Sequence, residues 1–167
     1  MPKVTADLKQ LRHFNENLRT LAEDAEKICK MSLYDGMTIA ADELRKSVEG
    51  LRTVSNAQAL AAYQRKEPTI LSDRQKAALA AGLGVSPMRK RGQAIDNKVG
   101  FEGYNDVVTR RWPSGQPNQM IAASCEHGSS AMLAQPFIRP AFERCRERIV
   151  KRMTDTATEE IEKILDK

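Results

Sequence analysis

Aromatic residues make up only 5% of this 167-residue chain, with a single Trp. So few large rings point to an aliphatic, Ala-rich core and favour helix packing over a β-sandwich. There are three cysteines, Cys29, Cys125 and Cys145, an odd number without a CxxC spacing. They read as reduced, buried or half-buried thiols, and neither a disulfide framework nor a thiolate metal site is expected. Two histidines, His13 and His127, are too few and too scattered to complete a zinc site. No apolar run reaches the ~18–20 residues that span a bilayer, so no membrane association is expected. The first ten residues, MPKVTADLKQ, are polar and carry no signal-peptide character. The chain is therefore expected in a cytosol, or in a particle assembled there.

What remains is an ordinary globular composition, 41% hydrophobic and 29% charged. The length suits a single domain over residues 1–167, long enough to bury a real core. The net charge of +5 is unevenly spread. Residues 1–53 hold nine basic and nine acidic side chains, and residues 119–167 hold eight of each. Residues 54–118 hold ten basic and five acidic ones and carry the whole excess. A basic middle can meet phosphate or an acidic partner, or serve only as a solvated surface.

Periodicity divides the chain. In residues 5–21, Leu8, Leu11, Phe14 or Asn15, Leu18 and Leu21 step by three to four, predicting an amphipathic helix with Thr5 or Asp7 as its cap. In residues 22–51 a second stripe runs through Ala25, Ile28, Cys29, Ser32, Ile39, Leu44, Val48 and Leu51. Gly36 interrupts it, marking a kink or a close approach of another backbone, and Gly50 is the expected stop. Residues 52–98 read as an insertion or loop region with a short helix near 57–63. Within it Ser72 and Gln75 form a capping box for a helix that Gly82 or Gly84 ends. Residues 99–135 read as strand and turn; Ala94, just before them, with Val99 and Phe101, suggests strand, and 107–112 is the partner strand. The stretch NQMIAASCEHG is a helix with Asn118 as cap and Gly128 past its end, or else a strand.

The last segment, residues 136–167, is the plainest. Ile138, Phe142, Cys145, Ile149, Met153, Ala157, Ile161 and Ile164 repeat at three or four, with charges between them. About 26 helical residues span roughly 39 Å, beyond the diameter of a small domain. Thr154, Asp155 and Thr156 mark a possible break. Pro140 fits a first helical turn and is expected to push Arg139 out of helical geometry, while Pro136 keeps the approach extended. The two prolines thus aim a long helix, with Phe137 and Ile138 inserted into the core as a staple. The resulting fold class is α+β, with long N- and C-terminal helices packed on a small, mainly antiparallel β-sheet.

The residues offer little for catalysis. Cys125, Glu126 and His127 are adjacent, so their side chains diverge and cannot form a nucleophile–base pair. Gly82–Leu83–Gly84 and the glycines at 100 and 103 lack a phosphate-cradling pattern. No enzyme activity, cofactor or metal is expected. Arg89, Lys90, Arg91, Arg110 and Arg111 are candidate DNA contacts, with Tyr104 or Trp112 available for stacking. The plainer reading is loop solubility.

Four stretches occur together: GFEGYN (100–105), PSGQPNQMIA (113–122), CEHGSS (125–130) and QPFIRPAFERC (135–145). In order and spacing they resemble the tail-completion or head–tail joining family of long-tailed bacteriophages and prophages. In that family a Glu-x-Gly-Thr-Ser stretch precedes a Pro-Phe-hydrophobic-Arg-x-Ala segment that opens the C-terminal helix. Glu126, Gly128 and Ser130 match, with Ser129 in place of the usual Thr; Pro136, Phe137, Ile138, Arg139 and Ala141 match as well. The stretch LSDRQKAALAAGLGVSP resembles longer members. Shorter members carry Thr-Gly-x-Leu after the second helix, where this chain has VEGLRTVSNAQ and an insertion. The resemblance covers about residues 20–155.

It implies a non-enzymatic virion protein at the tail–capsid neck, assembled in the bacterial host cytoplasm. It implies a homo-oligomeric, hexameric ring beside other neck proteins and tail-tube or tail-terminator proteins. Candidate assembly contacts are Glu126, Gly128, Ser130, Pro136, Phe137, Ile138, Arg139, Phe142 and Ile149. In such a ring the long C-terminal stripe would find its cover in the next subunit, and the basic centre would face passing DNA without base readout. The alternative is a free-standing, non-specific DNA-binding module.

Overall fold

The computed structural model describes residues 8–166. The expected cap at Thr5 or Asp7 lies outside them. The fold is α+β. One continuous helix, α1 (Leu8–Glu49), covers what the sequence divides into two. Gly36 produces no break; a Cβ there would lie 2.5 Å from Met153 Cγ and 3.3 Å from Ile149 Cγ2. The glycine therefore marks the close approach of α5 (Ile138–Leu165), the last helix. That helix is also unbroken: its 28 residues span about 42 Å. Thr154 returns its hydroxyl to the Val150 carbonyl and Thr156 donates to Asp35, so both stay within helical geometry.

The two long helices form an antiparallel hairpin. Arg144 and Arg148 of α5 meet Glu43 of α1; Arg152 meets Asp35; the Leu165 carbonyl accepts from Asn17. Much of the α5 stripe finds its cover within the chain: Ala141, Cys145, Thr156 and Ile164 are buried, and Ile149 and Met153 half-buried. Phe142 of the same stripe stays 37% exposed.

Three short helices lie between the long ones. Helix α2 (Asn56–Arg65) starts at a Ser55–Gln58 capping box, and α3 (Asp73–Gly82) at the expected Ser72–Gln75 box. Helix α4 (Asn118–His127) resolves the helix-or-strand ambiguity, with Gly128 past its end at φ 79°. Pro117, not Asn118, holds the cap position of α4. Asn118 instead donates to the carbonyls of Ala78 and Glu102, tying α3 and the strand region to α4.

The β structure consists of two antiparallel two-stranded ribbons. Strand β1 (Leu83–Val85) pairs with β4 (Val99–Phe101), with Gly84 opposite Gly100. Strand β2 (Arg89–Arg91) pairs with β3 (Ala94–Asp96) across a turn in which Gly92 adopts φ 62°. The expected strand at 107–112 does not form; that segment is a loop folded on the Thr109–Trp112 backbone pair. Leu83 follows α3 directly, and β1 lies against α1 as well as against β4.

One hydrophobic cluster joins these parts. Leu44, Val48 and Leu51 from the end of α1 meet Leu71, Leu79, Leu83, Phe101, Ile121, Cys125, Phe137 and Ala141. Phe101 and Phe137 pack with ring centroids 5.8 Å apart and planes tilted by 59°. The core therefore sits at one end of the hairpin, which we call its root; the opposite end is its tip.

Candidate functional site

Two helix ends meet at the root, and each carries orphaned backbone groups. The start of α5 has free N–H donors. Its expected prolines leave Phe137 at the cap position with no side-chain cap of its own. The acceptor comes from α4: Glu126 Oε2 accepts the N–H groups of Phe137 at 2.6 Å and Ile138 at 2.7 Å, and Oε1 accepts that of Arg139 at 3.0 Å. Pro140 has no N–H to satisfy, and Ala141 donates to the Phe137 carbonyl. Every donor of the first turn is thus accounted for. Arg139 lies inside the helix, so Pro140 does not expel it as the sequence suggests. The carboxylate that holds Arg139, Ile138 and Phe137 in line outweighs the local preference.

Glu126 is buried, and burial alone would raise its carboxyl. The three backbone donors of Arg139, Phe137 and Ile138, helped by His127, outweigh burial and hold it below the ordinary carboxylate range. A fixed anion at a helix N-terminus also complements the helix dipole.

The C-terminal end of α1 is treated symmetrically. Lys76 of α3 donates to the carbonyls of Glu49 at 2.7 Å and Leu51 at 2.8 Å. An ammonium at a helix C-terminus and a carboxylate at a helix N-terminus thus hold the two adjacent helix ends. Gln135 adds a strut: its side chain bonds both the N–H and the C=O of Arg52. Its own N–H reaches the Cys125 carbonyl at 2.7 Å.

The candidate assembly residues fall into three groups. Glu126 and Phe137 are buried within the chain, and Gly128 turns the chain out of α4. Ser130 and Pro136 are exposed in the connecting loop, while Ile138 is half-buried against the core. Arg139, Phe142 and Ile149 share one flank of α5 with Glu143, Arg146 and Val150, an open apolar face rather than a walled cavity. A cleft of about 450 Å³ lies over the Gly84–Gly100 pair and also reaches Phe142.

The candidate DNA contacts come from two separate segments of the chain. Arg89, Lys90 and Arg91 lie on β2, and Arg110 and Arg111 on the loop after β4. Lys90 pairs with Glu26 of α1, and Arg91 with Asp96 across the ribbon. Arg111 rests over the Trp112 ring at 5.7 Å. Burial first, and then the Glu126 charge, push the Cys125 thiol up to about 11, and its sulfur faces the Gln135 carbonyl at 3.6 Å. That thiol is protonated at neutral pH and its hydrogen-bond partner is backbone.

Among the described residues no group of three or more His, Cys, Asp or Glu is placed to hold a metal ion, and no helix is long and apolar enough to cross a membrane. Comparison with family models, with curated proteins and with solved structures returns no match.

Sequence reasoning misses Lys76, Gln135 as a strut and the Glu43–Arg144 pair. Their partners lie 25 to 101 residues away. The available signal was charge: Lys76 is a cation and Glu126 an anion on short helices between two long ones.

Proposed function

We propose that this chain is a structural protein of a long-tailed phage particle, acting in tail completion or head–tail joining as a subunit of a homo-oligomeric ring. The observation that supports the reading best is the Glu126 cradle. Two of the stretches that carry the resemblance, CEHGSS and QPFIRP, are joined through it, because the carboxylate of one holds the helix start of the other. Their co-occurrence thus has a physical reason: a chain that keeps Pro-Phe-Ile-Arg at a buried helix start needs an acceptor there, and Glu126 supplies it. The rigid α1/α5 rod suits a part that must hold a fixed direction within an assembly.

Contact with passing DNA belongs to the same proposal, through Arg89 and Arg110. Lys90 and Arg91 face acidic partners and contribute a weaker field.

The test is genetic and structural. Removing the coding sequence from the phage or prophage that carries it should leave capsids and tails unjoined or tails unfinished, and the purified chain should restore joining in an extract. Fully infectious particles without the chain would overturn the proposal.

A further inference from the structure

Strand β4 has an open edge. The Ser86 N–H donates to the Lys98 carbonyl and the Glu102 N–H to the Gly82 carbonyl, which fixes the phase of the β1–β4 ladder. Gly84 and Gly100 form its central hydrogen-bonded pair. The N–H and C=O groups of Val99 and Phe101 therefore point away from β1, and among the described residues nothing meets them. Yet Phe101 is buried and Val99 half-buried, where unmet backbone groups are costly. The edge borders the cleft of about 450 Å³, which residues 98–102 line together with Gln119, Ala123 and His127 of α4. Its glycines are bare: a Cβ on Gly84 or Gly100 meets nothing within 4 Å.

A strand-forming segment without a strand follows on the same chain. Asp106–Val107–Val108–Thr109 is rich in β-branched residues but forms no strand, and Val108 is 65% exposed. Its backbone groups alternate. The Val107 N–H donates to the Asn105 side chain, and Thr109 uses both its groups on Trp112. The Asp106 carbonyl, both groups of Val108 and the Arg110 N–H have no partner among the described residues. These are the groups that one edge of an extended strand presents.

Laid parallel to β4 with Val108 beside Gly100, the segment matches the open edge group for group. Val108 donates to the Val99 carbonyl and accepts from the Phe101 N–H; the Asp106 carbonyl accepts from Val99, and Arg110 donates to the Phe101 carbonyl. No backbone bond in either piece is lost. Side chains agree with the same register. Val108 covers bare Gly100, Asp106 falls beside Lys98 and Arg110 beside Glu102, opposite charges at both ends. The antiparallel arrangement puts Asp106 beside Glu102 and Arg110 beside Lys98, like charges at both ends. The one contact given up is the exposed Asp106–Arg74 pair at 3.5 Å.

A single molecule cannot make this ladder. Parallel neighbours need a connection of about a dozen residues or more, and only residues 103–105 separate the two pieces. Those residues are also pinned, Gly103 by the Asn118 N–H and Asn105 by the Gln116 carbonyl. We infer that the Asp106–Arg110 segment of one copy adds as a parallel strand to the β4 edge of another. As the subunit contact of the proposed ring, it rests on that reading. Each copy gives one strand and receives one, a heterologous contact that closes into a ring or extends as a filament.

The full-length chain tests it by sedimentation velocity over a concentration series, with circular dichroism to check folding. Wild type should form species above monomer, and hydrogen exchange at the Val99 and Phe101 amides should slow as they form. Val108→Pro removes the central donor at an exposed position and should weaken association at least tenfold with helicity unchanged. Lys98→Glu and Asp106→Lys should each weaken it about threefold or more by setting like charges side by side, and the chain carrying both should recover it. A double variant no better than the weaker single one overturns the parallel register and the inference with it. Assembly that ignores Val108→Pro and both reversals overturns this contact while the ring stands. Assembly through this contact by a chain that infectious particles do not need overturns the ring reading alone. A wild-type chain that is monomeric at every concentration, alone and with isolated tails, overturns both.

Discussion

At the root of the hairpin, Leu44, Val48 and Leu51 of α1 are buried, whereas at its tip Leu11, Phe14 and Leu18 stand about half in water. The root also has both helix ends held by opposite charges, Lys76 on one and Glu126 on the other. At the tip the Asn17 side-chain amide donates an exposed hydrogen bond to the Leu165 carbonyl. One continuous helix thus passes from a region stabilised by its own chain to one that is not. The difference teaches that helix length here is not set by the domain's own core. Among the described residues, burial along α1 starts at Ile28, and the helix runs on towards Leu8 with its apolar side chains in water.

The largest expected effect follows from that contrast. Leu44→Ala should destabilise the monomer by about 2–5 kcal/mol in urea, because it empties a filled site in the core. Leu18→Ala should change it by no more than about 0.5 kcal/mol, as at other exposed positions. Amide exchange should follow the same gradient, slow at residues 40–48 and fast at residues 11–18. Equal costs for the two substitutions would abolish the distinction between root and tip.

Next in size is the Glu126 cradle. Glu126→Ala should cost about 2–4 kcal/mol, since it strands donors at Phe137 and Ile138 that no neighbouring group replaces. Glu126→Gln should cost less, because an amide oxygen still accepts but its NH2 faces the Arg139 N–H. The pH dependence has a definite sign. The folded carboxyl lies below its unfolded value of about 4.3, so its contribution is complete above that value and is lost as pH falls through the folded one. The stability gap between wild type and Glu126→Gln should therefore narrow on acidification below about pH 4. A gap that widens there would mean that the carboxylate is not the stabilising form.

Much of this architecture could be read locally, and what could not is non-local. The Ser72–Gln75 box was legible, and the same S-x-x-Q spacing at Ser55–Gln58 opens α2, where only a loop with a short helix was expected. The apolar stripes marked the helical segments, though α1 read as two pieces; at Gly36 close approach was one of two readings, and the partner that decides it, Met153, is 117 residues away. The 107–112 strand failed for the same reason: Phe101 pairs with Leu83, and a three-residue strand has too little sequence to declare its partner. Of the candidate assembly residues, Phe142 and Ile149 lie together on α5 as helical spacing requires. That Glu126 reaches across to Phe137 is a tertiary cap, for which no local signature exists.

Gly36 sharpens the comparison midway along the rod. In an open helix Gly→Ala gains up to about 1 kcal/mol. Here the added methyl meets Met153 and Ile149, so Gly36→Ala should lose about 1–2 kcal/mol by overpacking. In a Met153→Ala background the same change should be neutral or stabilising, a coupling of about 1 kcal/mol or more on thermal or urea melts. A full helix-propensity gain in the wild-type background would show that the two helices do not approach so closely there.

The smallest effect lies where β2 touches α1. Glu26 is half-buried, with its side chain about 40% accessible, and hydrogen bonds from Lys30 first and Lys90 second hold its carboxyl at about 2. Such pairs add little to stability, because water screens them. Lys90→Ser should leave the melting temperature unchanged within error while the Glu26 carboxyl, followed by NMR, rises. It should not return to an ordinary value, since Lys30 contributes the larger hydrogen bond from one turn away on the same helix. Lys30→Ser should raise it further than Lys90→Ser does. An unmoved carboxyl in Lys90→Ser would mean that the β2 ribbon stands off from α1, leaving Lys90 available to phosphate and enlarging the basic surface that the DNA-contact proposal can use.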